Sequence, residues 1–232
     1  MWHMSNSSSQ VQAIPVYRAT IRKSSFIGIY VALFDDRAIV PPIAPRGFLK
    51  RLDRYLRVSP ITTTIGGISS VGSMVAMNRR GIILPKTVEE DELSAISPAN
   101  FEALVVDSKL LAWGNLLVVN NKGALISNMV PRNVAKQISD FLDVECVPFN
   151  LRGFRTIGSF FAVSDNLGLV SPLIDSDGLE LARSVLKVRF SPTTVNDGEM
   201  LVKLGVLLND KGLVVGQDTT GVELMAIQSL FS

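Results

Sequence analysis

Apolar runs recur along the chain in one pattern that is repeated five times. Each copy has an apolar residue, a position that is Gly in four of the five copies, an apolar run, a polar turn and a second apolar run. The glycines are Gly28, Gly72, Gly114 and Gly158, and Lys203 takes this place in the fifth copy. Because these positions are 44, 42, 44 and 45 residues apart, the sequence predicts a protein built from internal structural repeats.

Each copy predicts a β-hairpin followed by a helix. β-favouring residues flank polar turns such as Asn209–Gly212. The segments after the hairpins have apolar residues at helical spacing, as in Phe48, Leu52 and Leu56. Three of them carry the spacing of a capping box, at Thr87–Glu90, Asp177–Glu180 and Thr220–Glu223.

A third strand is predicted between each helix and the next hairpin, for example in Val58–Thr64, Leu104–Val106 and Val144–Phe149. The unit is therefore βββα, and one such unit cannot bury its own apolar faces, so the five must stack. We expect an α+β fold in which five βββα repeats close into one pseudo-symmetric ring. The predicted ring domain is 16–232, with repeats at 16–57, 58–101, 102–143, 144–187 and 188–232, after a flexible tail at 1–15. An all-β propeller is disfavoured because its blades have four strands and no helix.

Composition limits the chemistry that this ring can perform. With 232 residues, of which 47% are hydrophobic, the chain is long enough to form a sizeable core. Its single cysteine, Cys146, excludes an internal disulfide framework and a multi-thiolate zinc site, and fits a reducing compartment. The single histidine, His3, lies in the tail, which opposes Ser-His or Cys-His catalysis. Turn geometry explains the scattered carboxylates, so we predict no metal, no cofactor and no enzymatic activity.

No membrane association is predicted. The longest uncharged run, Val58–Asn78, contains too many Ser, Thr and Gly residues for a membrane span. The first ten residues lack the basic flank and the apolar block of a secretory signal. We therefore expect a cytoplasmic protein.

Positive charge is concentrated near the N-terminus. Residues 1–60 contain nine Lys or Arg and three Asp or Glu. In the first predicted helix, Lys50, Arg51, Arg54 and Arg57 share one face. This face can contact RNA phosphates, or it can simply be solvated. The solvated face is favoured, because few aromatic residues interleave with these bases in the sequence.

The polar turns and the glycines each allow two interpretations. The turns beginning at Asn78, Asn120 and Asn209 are expected on one rim of the ring, where they form either a docking surface or ordinary hairpin turns. The repeated glycines favour a structural role, in which the backbone approaches a neighbouring unit closely. Cys146 lies in an apolar strand, so it is expected to be a small buried hydrophobe.

Three segments resemble a known family more specifically than the repeat does. They are TTTIGGISSVGSMVAMNRRGIILP from Thr62, SKLLAWGNLLVVNNKGALI from Ser108 and TTVNDGEMLVKLGVLLNDKGLVVGQDTTGVEL from Thr193. Together they resemble the archaeal translation initiation factor 6 family, and the similarity extends from about Ile27 to Phe231.

The resemblance implies the pentein, or αβ-propeller, fold and a function in translation. By this resemblance the protein binds the large ribosomal subunit as a monomer and sterically prevents its joining with the small subunit. The expected contacts are ribosomal proteins near the sarcin–ricin loop, and ribosomal RNA is a further candidate. Release by a GTPase and its partner protein, and a function in large-subunit biogenesis, are implied in the same way.

Four ribosome-binding residues are carried over by the resemblance. Asn115 matches the Asn of the family's LGN block, Asn78 and Arg79 match its NR turn, and Asn121 matches a further polar position. Ser69 and Ser73 depart from the arginines of eukaryotic members, and Lys203 and Trp113 depart from Gly and Leu.

Two other functions stay open at this point. The wider pentein superfamily includes enzymes that use Cys, His and acidic residues on guanidino compounds. This alternative is opposed because His3 lies outside the ring. A paralogous interaction scaffold without ribosome affinity is the other alternative.

Overall fold

The repeated pattern folds into five small three-stranded sheets. The structure, a computed structural model, describes residues 16–97 and 102–231, so the predicted tail and His3 lie outside the described residues. The strands are β1 Val16–Ala19, β2 Ala32–Phe34, β3 Arg37–Val40, β4 Ile61–Thr62, β5 Ala76–Met77, β6 Gly81–Pro85, β7 Glu102–Val106, β8 Leu117–Val119, β9 Ala124–Ser127, β10 Cys146–Phe149, β11 Phe161–Val163, β12 Leu167–Val170, β13 Arg189–Pro192, β14 Val206–Asn209 and β15 Gly212–Gly216.

Two kinds of helix connect the strands. The helices are α1 Ile27–Tyr30, α2 Arg46–Leu56, α3 Val71–Met74, α4 Glu90–Ile96, α5 Trp113–Leu116, α6 Arg132–Leu142, α7 Ser176–Leu186 and α8 Gly221–Gln228, with 3₁₀ turns at Gly158–Phe160, Val202–Gly205 and Ser229–Phe231. A helix follows each hairpin as predicted, and α2 buries the predicted residues Phe48, Leu52 and Leu56. None of the helices in the described ranges has the length and hydrophobicity of a membrane span.

Each sheet combines an antiparallel hairpin with one parallel strand. The strand that follows a helix pairs with the hairpin before that helix, as β4 does with β3. The sheets therefore cross the predicted repeat boundaries. The first strand, β1, completes the last sheet by pairing in parallel with β15, with Val16 opposite Leu213 and Ala19 opposite Gly216. The first and the last strands of the described residues are thereby joined in one sheet.

The five units form a closed ring. The strand β2 contacts β5, β5 contacts β8, β8 contacts β11, β11 contacts β14, and β14 contacts β2 again. The core lies between units: one cluster combines Phe34 and Ile39 of the first hairpin with Val71 of α3 and Ile82 of the second hairpin. This is the closed five-fold α+β ring, the pentein fold, that the sequence predicted. A single unit would leave its half of such a cluster in water.

The start of each hairpin differs from the prediction. The residues around the repeated Gly form a single helical turn, such as α1 or α3, before a strand of only two to four residues. An apolar run of this length is compatible with either structure, so hydrophobicity alone cannot separate them.

Two of the three predicted capping boxes were wrong by two residues. The box at Thr220 and Glu223 is confirmed. For α4, however, the box is formed by Glu89 and Glu92, and α7 is capped by Asp175, which accepts a hydrogen bond from the Gly178 amide at 2.9 Å. The carboxylate of Glu92 also accepts hydrogen bonds from two glycine amides in the preceding loop, Gly66 and Gly67. This contact is distant in sequence and favours the later start of α4.

Candidate functional site

The ring has two end faces, which lie at opposite ends of the first hairpin strands. We call one the turn face; it contains the hairpin turns 35–36, 78–80, 120–123, 164–166 and 209–212. The other is the helix face, which contains the short helices α1, α3 and α5 and the 3₁₀ turns Gly158–Phe160 and Val202–Gly205. Asn115 belongs to the helix face, whereas Asn78, Arg79 and Asn121 belong to the turn face. The structure therefore separates residues that the sequence grouped together.

On the turn face, buried asparagines join neighbouring units. The side-chain amide of Asn78 donates to the carbonyl oxygens of Asn120 (3.3 Å) and Leu142 (3.0 Å). Asn120 donates in the same way to Ser164 (3.1 Å) and Leu186 (2.8 Å). Asn78 is only 1% exposed, and its side-chain amide is already hydrogen-bonded within the ring. It is therefore not accessible to a binding partner.

The fifth hairpin repeats this arrangement. Asn209 donates to the carbonyl oxygens of Asp35 and Leu56, both at 2.7 Å. These bonds also satisfy carbonyl groups at the C-terminal ends of helices, which have no partner within the helix. Sequence analysis missed this function, although an Asn at the start of three equivalent turns was the available signal.

Arg79 and Asn121 lie side by side on the turn face. The backbone amide of Arg79 donates to the side-chain oxygen of Asn121 at 2.9 Å, and Asn121 donates to Asp165 at 2.6 Å. The Arg79 side chain is 69% exposed and pairs with Asp35 at 3.3 Å, a surface ion pair that contributes little stability. The guanidinium is thus accessible to a partner.

On the helix face, exposed apolar side chains precede the short helical turns. Asn115 is partly exposed and accepts a hydrogen bond from the Ser159 hydroxyl at 3.3 Å. Exposed large hydrophobic residues follow the tight turns of four units, namely Phe26, Ile68, Phe154 and Met200. Exposed basic residues on this face are Arg22, Lys23, Lys109, Arg152 and Arg155. An apolar patch with basic neighbours is typical of an interaction surface.

The repeated glycines allow the units to approach each other on the helix face. A Cβ on Gly72 would lie 2.1 Å from the carbonyl oxygen of Gly28, and a Cβ on Gly114 would lie 2.2 Å from that of Gly72. This finding confirms the close backbone approach predicted for these residues, although in helical turns rather than at strand ends.

Lys203 contributes a charged group to the channel along the ring axis. This channel encloses about 80 Å³ accessible to water, and apolar residues of the five inner strands line it. The Lys203 ammonium donates to the Gly114 carbonyl oxygen, and burial lowers the pKa of Lys203 to about 8. The departure from Gly noted in the sequence therefore places an amine inside the ring.

The basic residues of α2 are exposed, and the helix ends at the turn face, where Asn209 binds the Leu56 carbonyl oxygen. Lys50, Arg51 and Arg54 are exposed, and so is Arg57, which ends the helix in a left-handed conformation (φ 56°). The structure thus brings these four residues together on one helix and its C-terminal end.

Cys146 lies in β10 as a partly buried thiol. Burial raises the pKa of this thiol to about 11, and the neighbouring Glu145 carboxylate acts in the same direction. A thiol with this pKa is a weak nucleophile at neutral pH. Among the described residues, no group of three or more His, Cys, Asp or Glu side chains is arranged to hold a metal ion.

Comparison with known proteins gives a family for this arrangement. The sequence profile of the eIF-6 family matches residues 16–230, which include all five units. The chain belongs to the eIF-6 family. Translation initiation factor 6 of Methanocaldococcus jannaschii is 34% identical over 209 residues, covering 87% of this chain and 91% of that protein. Translation initiation factor 6 of Thermoplasma acidophilum is 31% identical over 217 residues, covering 94% of this chain and all of that protein.

Among solved structures, a mutant DDAH from Pseudomonas aeruginosa complexed with citrulline has a TM-score of 0.47 at 12% identity, covering 73% of this chain and 69% of that one. The eIF-6 relatives are named as translation initiation factors, and membership of their family supports a function of this chain in translation initiation.

Proposed function

We propose that this protein binds the large ribosomal subunit and sterically prevents its association with the small subunit. The observation that carries this proposal is the eIF-6 family match over residues 16–230, together with relatives named translation initiation factor 6. We place the protein in the cytoplasm as a monomer. Release from the subunit by a GTPase and its partner protein, and participation in large-subunit biogenesis, follow from the same family resemblance.

The closed ring supports this steric mechanism. A blocking factor must keep its shape when a second subunit collides with it. Here the units are joined at one end by side-chain amides such as that of Asn120, and at the other by backbone contact between Gly72 and Gly28. A ring joined at both ends has no free hinge between units.

The helix face is the better docking surface of the two. A single flat partner cannot contact Asn115 and Arg79 together, because they lie on opposite faces. The helix face combines Asn115 with exposed apolar residues such as Phe154, which is 45% exposed, and with basic neighbours. Ribosomal proteins near the sarcin–ricin loop, on an RNA-rich particle, suit such a mixture of apolar and positive groups.

Sucrose-gradient sedimentation of purified subunits under associating magnesium tests the proposal. Wild-type protein should travel with the large subunit and reduce the joined-ribosome peak. Phe154→Glu and Asn115→Lys should weaken this co-sedimentation at least tenfold, whereas Arg79→Glu should not.

Lys136→Glu on the outer surface of α6 serves as the control for added negative charge. If only Arg79→Glu weakens binding, docking occurs on the turn face. If folded wild-type protein stays at the top of the gradient and the joined peak is unchanged, the proposed function is wrong.

A further inference from the structure

The exposed side of α2 carries an excess of basic residues, with Asp53 as its acidic residue. Arg46, Lys50 and Arg54 follow one another at intervals of four residues, so they stack along one side of the helix, roughly 5–6 Å apart. None of them forms an ion pair with another residue of the described ranges. The helix also lacks acidic residues in its first turn. Like charges at this spacing destabilise a helix, so stability does not explain them.

Two tyrosines extend this surface with aromatic rings. Tyr17 of β1 stacks on Tyr55 of α2, with ring centroids 5.0 Å apart and an angle of 26° between the planes. The guanidinium of Arg51 lies 4.5 Å from the Tyr17 centroid, and that of Arg54 lies 5.7 Å from the Tyr55 centroid. Both tyrosines are partly exposed. The fold thus places Tyr17, which is distant in sequence, beside Tyr55 on the basic helix. The sequence of the helix itself contains few aromatic residues.

The equivalent helix of the third unit lacks this arrangement. The helix α6 has the same length and the same buried positions as α2. It keeps basic residues at the positions of Arg46 and Lys50, as Arg132 and Lys136. At the positions of Arg51, Arg54 and Arg57, however, it has Gln137, Asp140 and Asp143. Its Lys136 is neutralised by Asp140 at 2.6 Å. The arginines that contact the tyrosine rings in α2, Arg51 and Arg54, therefore have no basic counterpart in α6.

We propose that Tyr17, Tyr55 and the basic side of α2 form a binding surface for single-stranded RNA. Arg46, Lys50 and Arg54 contact consecutive phosphates, because their spacing follows one helix edge. The paired tyrosine and arginine planes around Tyr17 stack with an unpaired base. Stacking of this kind favours RNA over an anionic membrane, for which charge alone would suffice. Binding itself is independent of the proposed function; only the source of the RNA, a loop of ribosomal RNA beside the docked ring, rests on it.

Fluorescence anisotropy with a fluorescein-labelled 12-nucleotide single-stranded RNA tests this surface. Binding should weaken with salt, with a slope of log affinity against log salt of about −2 to −3 for three or four phosphate contacts. Arg51→Glu with Arg54→Glu should weaken binding at least tenfold. The matched control is Arg132→Glu with Lys136→Glu, which introduces the same change of charge on α6 and should change affinity less than twofold.

A second pair of variants separates stacking from charge. Arg51→Lys keeps the charge on an exposed site, but lacks the planar guanidinium. It should weaken binding two- to fivefold with an unchanged salt slope, and Tyr17→Leu should do the same if circular dichroism shows it to be folded.

Equal losses in the α2 and α6 variants, or binding to phosphatidylserine vesicles but not to RNA, would overturn the inference. Binding of RNA that depends on α2, in a protein that fails to travel with the large subunit, would support the surface and refute the proposed function.

Discussion

The ammonium group of Lys203 donates a hydrogen bond to the carbonyl oxygen of Gly114, which belongs to a unit that is not its neighbour in the ring. The side chain therefore spans the axial channel. A Cβ on Gly114 would lie 3.1 Å from this nitrogen, so the glycine leaves room for the amine. The fifth copy of the repeat thus replaces a small residue with a charged group that the other four copies must accommodate.

Replacing Lys203 should change how stability depends on pH. Burial lowers the pKa of Lys203 from 10.5 to about 8. Below pH 8 the amine is charged in both the folded and the unfolded chain. Between pH 8 and 10.5 the folded protein releases the proton first, so the wild type gains stability as pH rises. Relative to Lys203→Met, this gain should reach about 2–3 kcal/mol in the free energy of unfolding.

Urea unfolding of both proteins from pH 7 to 10 measures the difference. Lys203→Gly removes the same amine and should show the same pH dependence, whatever its absolute stability. A difference that stays constant over this range would show that Lys203 keeps its proton in the folded state.

A side chain at Gly72 should prevent the units from approaching each other. Its Cβ would lie 2.1 Å from the Gly28 carbonyl oxygen and 2.5 Å from that of Val31, so backbone atoms would have to move. We expect Gly72→Ala to destabilise the protein by about 3 kcal/mol or more, and Gly72→Val by at least as much. The measurement is the midpoint of urea unfolding.

Gly47 provides the matched control, because it lies in α2 and a Cβ added to it would have no atom within 4 Å. Gly47→Ala should stabilise the protein by about 0.4–1 kcal/mol. If Gly72→Ala unfolds like the wild type but loses subunit binding, the glycine acts in recognition and not in closure of the ring.

Glu223 should stabilise the fold only in its ionised form. Burial alone would raise its pKa, but hydrogen bonds from Thr194, Thr220 and Gly198 outweigh burial and lower the pKa to about 2. The stabilisation is therefore complete above pH 4.5, the ordinary value, and is lost as pH falls toward 2. Glu223 is 7% exposed, and allowing for solvent screening we expect about 2 kcal/mol from ionisation.

Glu223→Gln should accordingly be less stable than the wild type at pH 7, and the difference should disappear between pH 4.5 and 2. Thermal unfolding across this range measures it. A difference that does not change with pH would assign the effect to packing. Glu92 accepts equivalent hydrogen bonds from Thr64, Gly66 and Gly67, which lower its pKa and give the same sign.

The repeat order and the outer helices were predictable because their signals are local. The stripe Phe48, Leu52 and Leu56 identifies α2 within a single segment. The shifted cap of α4 was not predictable in this way, since Glu92 binds the amides of Gly66 and Gly67 from an earlier loop. A local search for capping boxes has no access to such a contact.

The candidate sites divide in the same way, into residues that are close in sequence and residues that only the fold brings together. The basic residues of α2 are close in sequence and were found together. Tyr17 is far from Tyr55 in sequence, and only the pairing of β1 with β15 brings it to α2. Asn78 and Asn115 look alike as polar residues near a turn, but the first is buried between units and the second lies on the opposite face. Which end of a short strand a residue occupies is decided by the ring and not by the motif.

The buried asparagines of the turn face, Asn78, Asn120 and Asn209, should contribute to stability and not to recognition. Asn120 is fully buried, and its amide satisfies the carbonyl oxygens of Ser164 and Leu186. In Asn120→Ala both oxygens lose this donor, so we expect a loss of about 2–4 kcal/mol in the free energy of unfolding. Asn166→Ala removes an amide from the exposed part of the fourth turn and should change stability by less than about 0.5 kcal/mol.

Urea unfolding and subunit co-sedimentation should be measured on the same preparations. An Asn120→Ala protein of wild-type stability that no longer binds the large subunit would return these asparagines to the docking surface, because only a direct contact would then explain the loss.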